Sequence, residues 1–165
     1  MRVVSQALVL LSFLFASCAQ TRVWQCQRIA TGEMQYDSLR IVCPAQDKVN
    51  DIEVEVLKTD LVCTVMLCVH GQPLTPSKNH PHHTPVHVKI ADKSFKELAS
   101  LHSGGQRVKL SPALQEAILA QLRAGGFVEI ELAGYKKRID ADNFPGFCKM
   151  LDSPPHFQNP IQLAF

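Results

Sequence analysis

Five of the seven histidines fall between positions 70 and 87: His70, His80, His82, His83 and His87. Met66 and Cys68 stand just before them. On a continuous strand Met66, Cys68 and His70 share one face, because side chains alternate with a period of two. His80, His82 and His83 lie on the segment that follows and could fold back toward that face. Imidazole with thiolate is a zinc donor set, and a thioether added to it suits copper(I). The candidate ligands are therefore His70, His80, His82, His83 and Cys68. Their spacing matches no zinc finger and no metalloenzyme motif, so a polar, histidine-rich loop without a metal is the plain alternative. Clustered histidines would also gain charge as pH falls below about 6.5, which makes pH sensing a third reading.

The chain has six cysteines. Cys18 sits in an N-terminal leader, leaving Cys26, Cys43, Cys63, Cys68 and Cys148 in the mature chain. An odd number leaves one thiol over after at most two bridges. Cys26 and Cys43 occupy consecutive strand-like segments, which favours their pairing. Cys63 and Cys68 are five residues apart. On one strand they point to opposite faces and cannot join directly unless a bulge intervenes, and a pairing of one of them with Cys148 is the other option.

Other chemistry is poorly supported. The sequence has no G-x-S-x-G, no H-E-x-x-H, no P-loop and no dinucleotide-binding fingerprint. Glu53, Glu55, Glu129 and Glu131 alternate along strands and read as solvated faces rather than paired catalytic acids. Lys136-Lys137-Arg138 reads as a salt-bridged strand, and Trp24, the single tryptophan, as packing.

The N-terminus is more specific. Residues 1–20, MRVVSQALVLLSFLFASCAQ, open with a basic residue and continue with an apolar stretch from Ala7 to Ala16 broken only by Ser12. That is a signal peptide, too short to span a bilayer. Phe15-Ala16-Ser17-Cys18 resembles the lipobox of bacterial lipoproteins, with Phe15 where leucine is usual. The resemblance covers residues 1–18 and implies that Cys18 is lipidated and becomes the first mature residue. The competing route is cleavage after Ala19, which yields a soluble exported protein. Trp24-Gln25-Cys26 and the late hairpin-plus-helix resemble invasion-associated locus B-like periplasmic proteins, but the pattern between them does not follow.

These residues need elements to position them. Val23 to Ile29 and Leu39 to Cys43 read as strands around a turn near Thr31-Gly32. Ile52 to Val56 alternates, apolar inward and glutamate outward, and Leu61 to Val69 reads as a strand buried on both faces. Four prolines mark 70–85 as a long loop. Val86 to Ile90 alternates again. Ser94 with Glu97 reads as a capping box opening a helix that Gly104 ends. Gln106 to Leu110 is a strand, and Ser111-Pro112 opens a helix with Leu114, Ala117, Ile118 and Leu122 on its apolar stripe. Phe127–Leu132 and Tyr135–Ile139 form a hairpin that sets Glu131 opposite Lys136 and Glu129 opposite Arg138. Asn143 caps a last short helix, and a proline-bearing tail from Ser153 to Phe165 wraps the surface. The expectation is a single α+β domain over 19–165, with a mostly antiparallel sheet or alternatively a sandwich. Two or three short helices fall in its second half.

Composition bounds the function. The chain is 46% hydrophobic and 19% charged, which fits a folded domain and argues against disorder. A net charge of +2 gives no basic footprint for nucleic acid. The leading expectation is an exported envelope protein, anchored to a membrane through Cys18 and acting without catalysis as a binding or assembly component for another envelope protein. The alternatives are a periplasmic or surface metal-binding protein holding zinc or copper, and a secreted enzyme or enzyme inhibitor.

Overall fold

A computed structural model describes residues 23–31, 37–60 and 62–153. The leader with Cys18, Gly32, Leu61 and the tail beyond Ser153 lie outside the described residues. Among the described residues nine strands form one sheet: β1 (Gln25–Ile29), β2 (Ser38–Cys43), β3 (Ile52–Lys58), β4 (Cys63–Val69), β5 (His83–Ile90), β6 (Lys93–Leu101), β7 (Arg107–Lys109), β8 (Phe127–Leu132) and β9 (Tyr135–Asp140). Their order across the sheet is β1-β2-β3-β4-β7-β6-β5-β8-β9, and every pairing is antiparallel. Helix α1 (Pro112–Arg123) follows β7, and a 3-10 turn (Phe144–Phe147) leads into the short α2 (Cys148–Asp152). A mostly antiparallel sheet with helices in the second half is what the α+β expectation asked for.

One core serves the whole sheet. Leu39, Ile41, Val54, Val65 and Val108 from its first half join Val86, Val88, Val128, Ile130 and Ile139 from its second, and Leu114, Ile118 and Leu122 of α1 complete the cluster. Flat strands six places apart would stand about 29 Å from one another. Yet β3 and β9 touch, so the sheet curls on itself. Lys137 on β9 donates to Pro44 O and Asp51 Oδ2, both at 2.9 Å, across that closure.

Two expectations are corrected. Residues 94–101 are strand, not helix. The tight turn at Ala91–Asp92 pairs Ile90 with Lys93, and the chain from Lys93 onward lies hydrogen-bonded between β5 and β7. Glu97 caps the next helix instead of its own. Its carboxylate accepts from Ser111 N at 2.9 Å and from the Ser111 hydroxyl, while Ser111 Oγ accepts from Leu114 N at the first turn of α1. Asn143 caps nothing with its side chain. Its Oδ1 accepts from Trp24 N and its Nδ2 donates to Trp24 O, each at 2.9 Å.

The long loop has a topological cause. Strand β5 lies three places from β4, so the chain must cross about 14 Å over β7 and β6 before it can pair. Leu74, buried in the core, pins the crossing by donating its N–H to Gly105 O. At its start Gly71 passes so close to the 47–51 turn that a Cβ there would meet Val49 O at 2.6 Å. The loop ends sooner than its prolines suggest, because β5 takes in His83, Thr84 and Pro85.

Candidate functional site

Alternation along β4 sends Val65, Leu67 and Val69 into the core and turns Met66 and Cys68 to the opposite, outer face. Register brings partners to that face. Glu53 of β3 lies directly opposite Cys68 on one side, and Arg107 of β7 lies opposite it on the other. Glu55 and Arg40 occupy the same face on β3 and β2. His70 follows β4 immediately, and its Nε2 stands 3.6 Å from Glu53 Oε2.

The side chains form one connected set. Arg40 Nε donates to Glu55 Oε1 at 2.9 Å, and its Nη2 donates to Glu53 Oε1 at 3.1 Å. Arg107 Nη2 is 3.3 Å from Glu55 Oε2, and its Nε donates to Cys68 Sγ at 3.3 Å. Cys68 Sγ in turn lies 3.9 Å from Glu55 Oε2. Glu55 is almost fully buried, with 4% of its side chain exposed, and two guanidinium groups meet it there. Burial pushes the Cys68 thiol above its ordinary value, and the adjacent Arg107 opposes that shift. The thiol itself raises Arg107. An open, mostly polar pocket of about 380 Å³ adjoins the set, walled by Cys68, His70, His102, Ser103, Gly104 and Arg107.

One oxygen or sulfur from each of Glu53, Glu55 and Cys68 lies within 4.8 Å of the others, a grouping able to hold a metal ion. Among the described residues no other grouping of three such ligands is as close. The loop histidines lie elsewhere. His80 and His83 set their rings 6.0 Å apart, edge to face, across a small turn closed by His80 N to Ser77 O and Ser77 N to His83 O. His82 O accepts from Leu101 N on β6. Of the sequence candidates, the structure therefore brings Cys68 and His70 together and leaves His80, His82 and His83 at the β5–β6 end.

The other cysteines are dispersed. Cys26 lies opposite Ile41, and Cys43 is buried opposite Val54, so the expected Cys26–Cys43 bridge is not formed. Cys63 faces the core side at the edge of a second pocket beside Leu151 and Asp152, with its thiol raised by burial. Cys148 Sγ turns back on Phe144 O at 3.7 Å, and neither Cys63 nor Cys68 is bridged to it.

Sequence reasoning missed Glu53, Glu55, Arg40 and Arg107. The glutamates alternate as expected, but the face they occupy is not a solvated one. A usable signal was present: Glu53 and Glu55 alternate inside an apolar strand, and single residues, Arg40 and Cys68, interrupt the apolar runs on either side of it. What alternation lacks is the register that stacks them. No family model, no curated protein and no solved structure matches the chain.

Proposed function

We propose that the chain is an exported bacterial envelope protein, held to a membrane by lipid on Cys18, that works as a non-enzymatic binding or assembly component for another envelope protein. The leader pattern ending in Phe15-Ala16-Ser17-Cys18 carries this reading. Trp24 supports it mechanically. It follows Cys18 by six residues, a reach of about 20 Å at most. Its backbone is clamped at both polar atoms by Asn143, its Nε1 donates to Asp140 O at 3.0 Å, and its ring lies 4.7 Å from Phe144. A tether at Cys18 would thus pull on the C-terminal end of the sheet and hold the whole domain close to the lipid. Cys68 speaks against a thiol enzyme, because a buried thiol with a raised pKa is a poor nucleophile.

The test is detergent partition of the protein made with its own leader in a bacterial host fed labelled palmitate. The wild type is expected in the detergent phase and labelled. Cys18→Ser is expected unlabelled and in the aqueous phase. An unlabelled wild type in the aqueous phase rules the reading out.

The second reading, a metal-binding envelope protein holding zinc or copper, draws support from the Glu53–Glu55–Cys68 grouping.

A further inference from the structure

We propose that the outer face of β3 and β4 is a zinc site, with Cys68 Sγ, Glu55 Oε2 and Glu53 Oε2 as ligands and His70 Nε2 as the fourth. This deepens the metal-binding reading, rests on it, and is independent of the anchor.

The carboxylates are already oriented for the task. Arg40 holds the Oε1 atom of both Glu53 and Glu55, which leaves Glu55 Oε2 to Cys68 and Arg107 and Glu53 Oε2 to His70. Hydrogen-bonded carboxylates of this kind are the usual support for a bound metal. Ligand atoms around zinc, at about 2.0–2.3 Å from the ion, stand roughly 3.3–3.7 Å apart. Cys68 Sγ and Glu55 Oε2 are 3.9 Å apart, and His70 Nε2 and Glu53 Oε2 are 3.6 Å apart. The Glu53, Glu55 and Cys68 atoms, all within 4.8 Å of one another, would need to draw in by about 1 Å. His70, which stands outside that grouping against Glu53, would have to swing toward it.

A cation already fills the position. The Arg107 guanidinium lies 3.3 Å from both Cys68 Sγ and Glu55 Oε2. Arg107 sits on a three-residue strand with nearly half of its side chain exposed, and the adjoining pocket gives it room to withdraw. Zinc would take its place as Cys68 loses its thiol proton to solvent. Thiolate and imidazole select zinc over magnesium or calcium. Binding weakens as pH falls, because the thiol proton must be displaced.

The test is titration of the purified mature chain with cobalt(II) as a spectroscopic stand-in, followed by displacement with zinc. A sulfur-to-cobalt charge-transfer band should appear and vanish on adding zinc. Cys68→Ser should lose the band while keeping the wild-type circular dichroism. Arg107→Gln should bind zinc more tightly, and Arg40→Gln about tenfold more weakly. Should Cys68→Ser fail to fold, His70→Ala, at a half-exposed position, must weaken binding instead. The proposal is overturned if no band forms, or if the band survives Cys68→Ser. It is equally overturned if the band is lost when His80, His82 and His83 are replaced by alanine. Detergent partition of Cys68→Ser reads the anchor separately and is expected to be unchanged.

Discussion

Lys137 is a charged side chain held almost wholly out of solvent. Only 5% of it is exposed, and its ammonium joins Asp51 and the Pro44 carbonyl across the closure of the sheet. Removing one partner of such a pair leaves the other desolvated and unmatched. Lys137→Ala should therefore cost about 3 kcal/mol in urea unfolding. Lys136→Ala, one residue away on the exposed Glu131 pair, should cost less than about 0.5 kcal/mol. The difference was partly legible. Within Lys136-Lys137-Arg138 the middle residue shares a strand face with Tyr135 and Ile139, so alternation alone turns it inward. Its partners in the β2–β3 turn are about 90 positions away and could not be read. Titration adds a second residue-scale expectation. Cys26, Cys63 and Cys68 all have thiols raised above the ordinary value of 9.0 by burial. A raised pKa means the stability is fully present below the unfolded value and is lost as pH rises through the folded one. The unfolding midpoint should fall on the alkaline side of pH 9.0, and Cys63→Ala should flatten that fall.

The turns set the register of the sheet, and two of them are built from unfavourable residues. Ala133 has φ +50° and is followed by Gly134 at φ +88°, the type I′ arrangement that Asn-Gly fits best. At Ala91–Asp92 only the first central residue has positive φ, +50°, the type II′ arrangement that prefers glycine there. A left-handed conformation costs an alanine about 1 kcal/mol. Ala133→Asn and Ala91→Gly should each raise the thermal midpoint, by up to about 1 kcal/mol of stability, with no change in circular dichroism. The first turn was legible from opposite charges facing across the hairpin, and Glu131 does pair with Lys136 at 3.8 Å. Glu129 is in register with Arg138 but pairs with Lys89 at 3.7 Å, while Arg138 bonds Asp140 and covers the Phe127 ring. The second turn was hidden, because Phe95, Leu98 and Leu101 fit a helical stripe while Phe95, Ala99 and Leu101 fit a strand. Long-range pairing with β5 and β7 decided between them. The start of α1 was legible to the residue, since Ser111-Pro112 carries its own local logic, but the Glu97 carboxylate that completes the cap comes from across the sheet.

At the scale of the whole molecule, closure of the sheet underlies its stability, and strand order underlies the site. The curled sheet is fastened by Lys137 at one end and by Trp24 against Asn143, Asp140 and Phe144 at the other. Trp24→Ala removes a fully buried ring and its Nε1 bond, and should cost about 4 kcal/mol in chemical denaturation. The strand order sets β3 and β4 between β2 and β7, and their register is why Arg40 and Arg107 converge on Glu55. Strand content and alternation were legible in the sequence. The order β4-β7-β6-β5 was not, because nothing local tells a chain which strand its neighbour will be. Much of the histidine run that dominates the sequence lies on the crossing that this order requires, with His83 and His87 already in β5, and the denser cluster of ligand atoms lies on the outer face of β3 and β4.

The lipid anchor is read most directly from the intact mass of the protein purified from its own cells. A chain beginning at Cys18 and carrying the added mass of acyl and diacylglyceryl groups is the predicted result. An unmodified chain beginning at Gln20 would contradict the anchored reading and leave a soluble exported domain in its place.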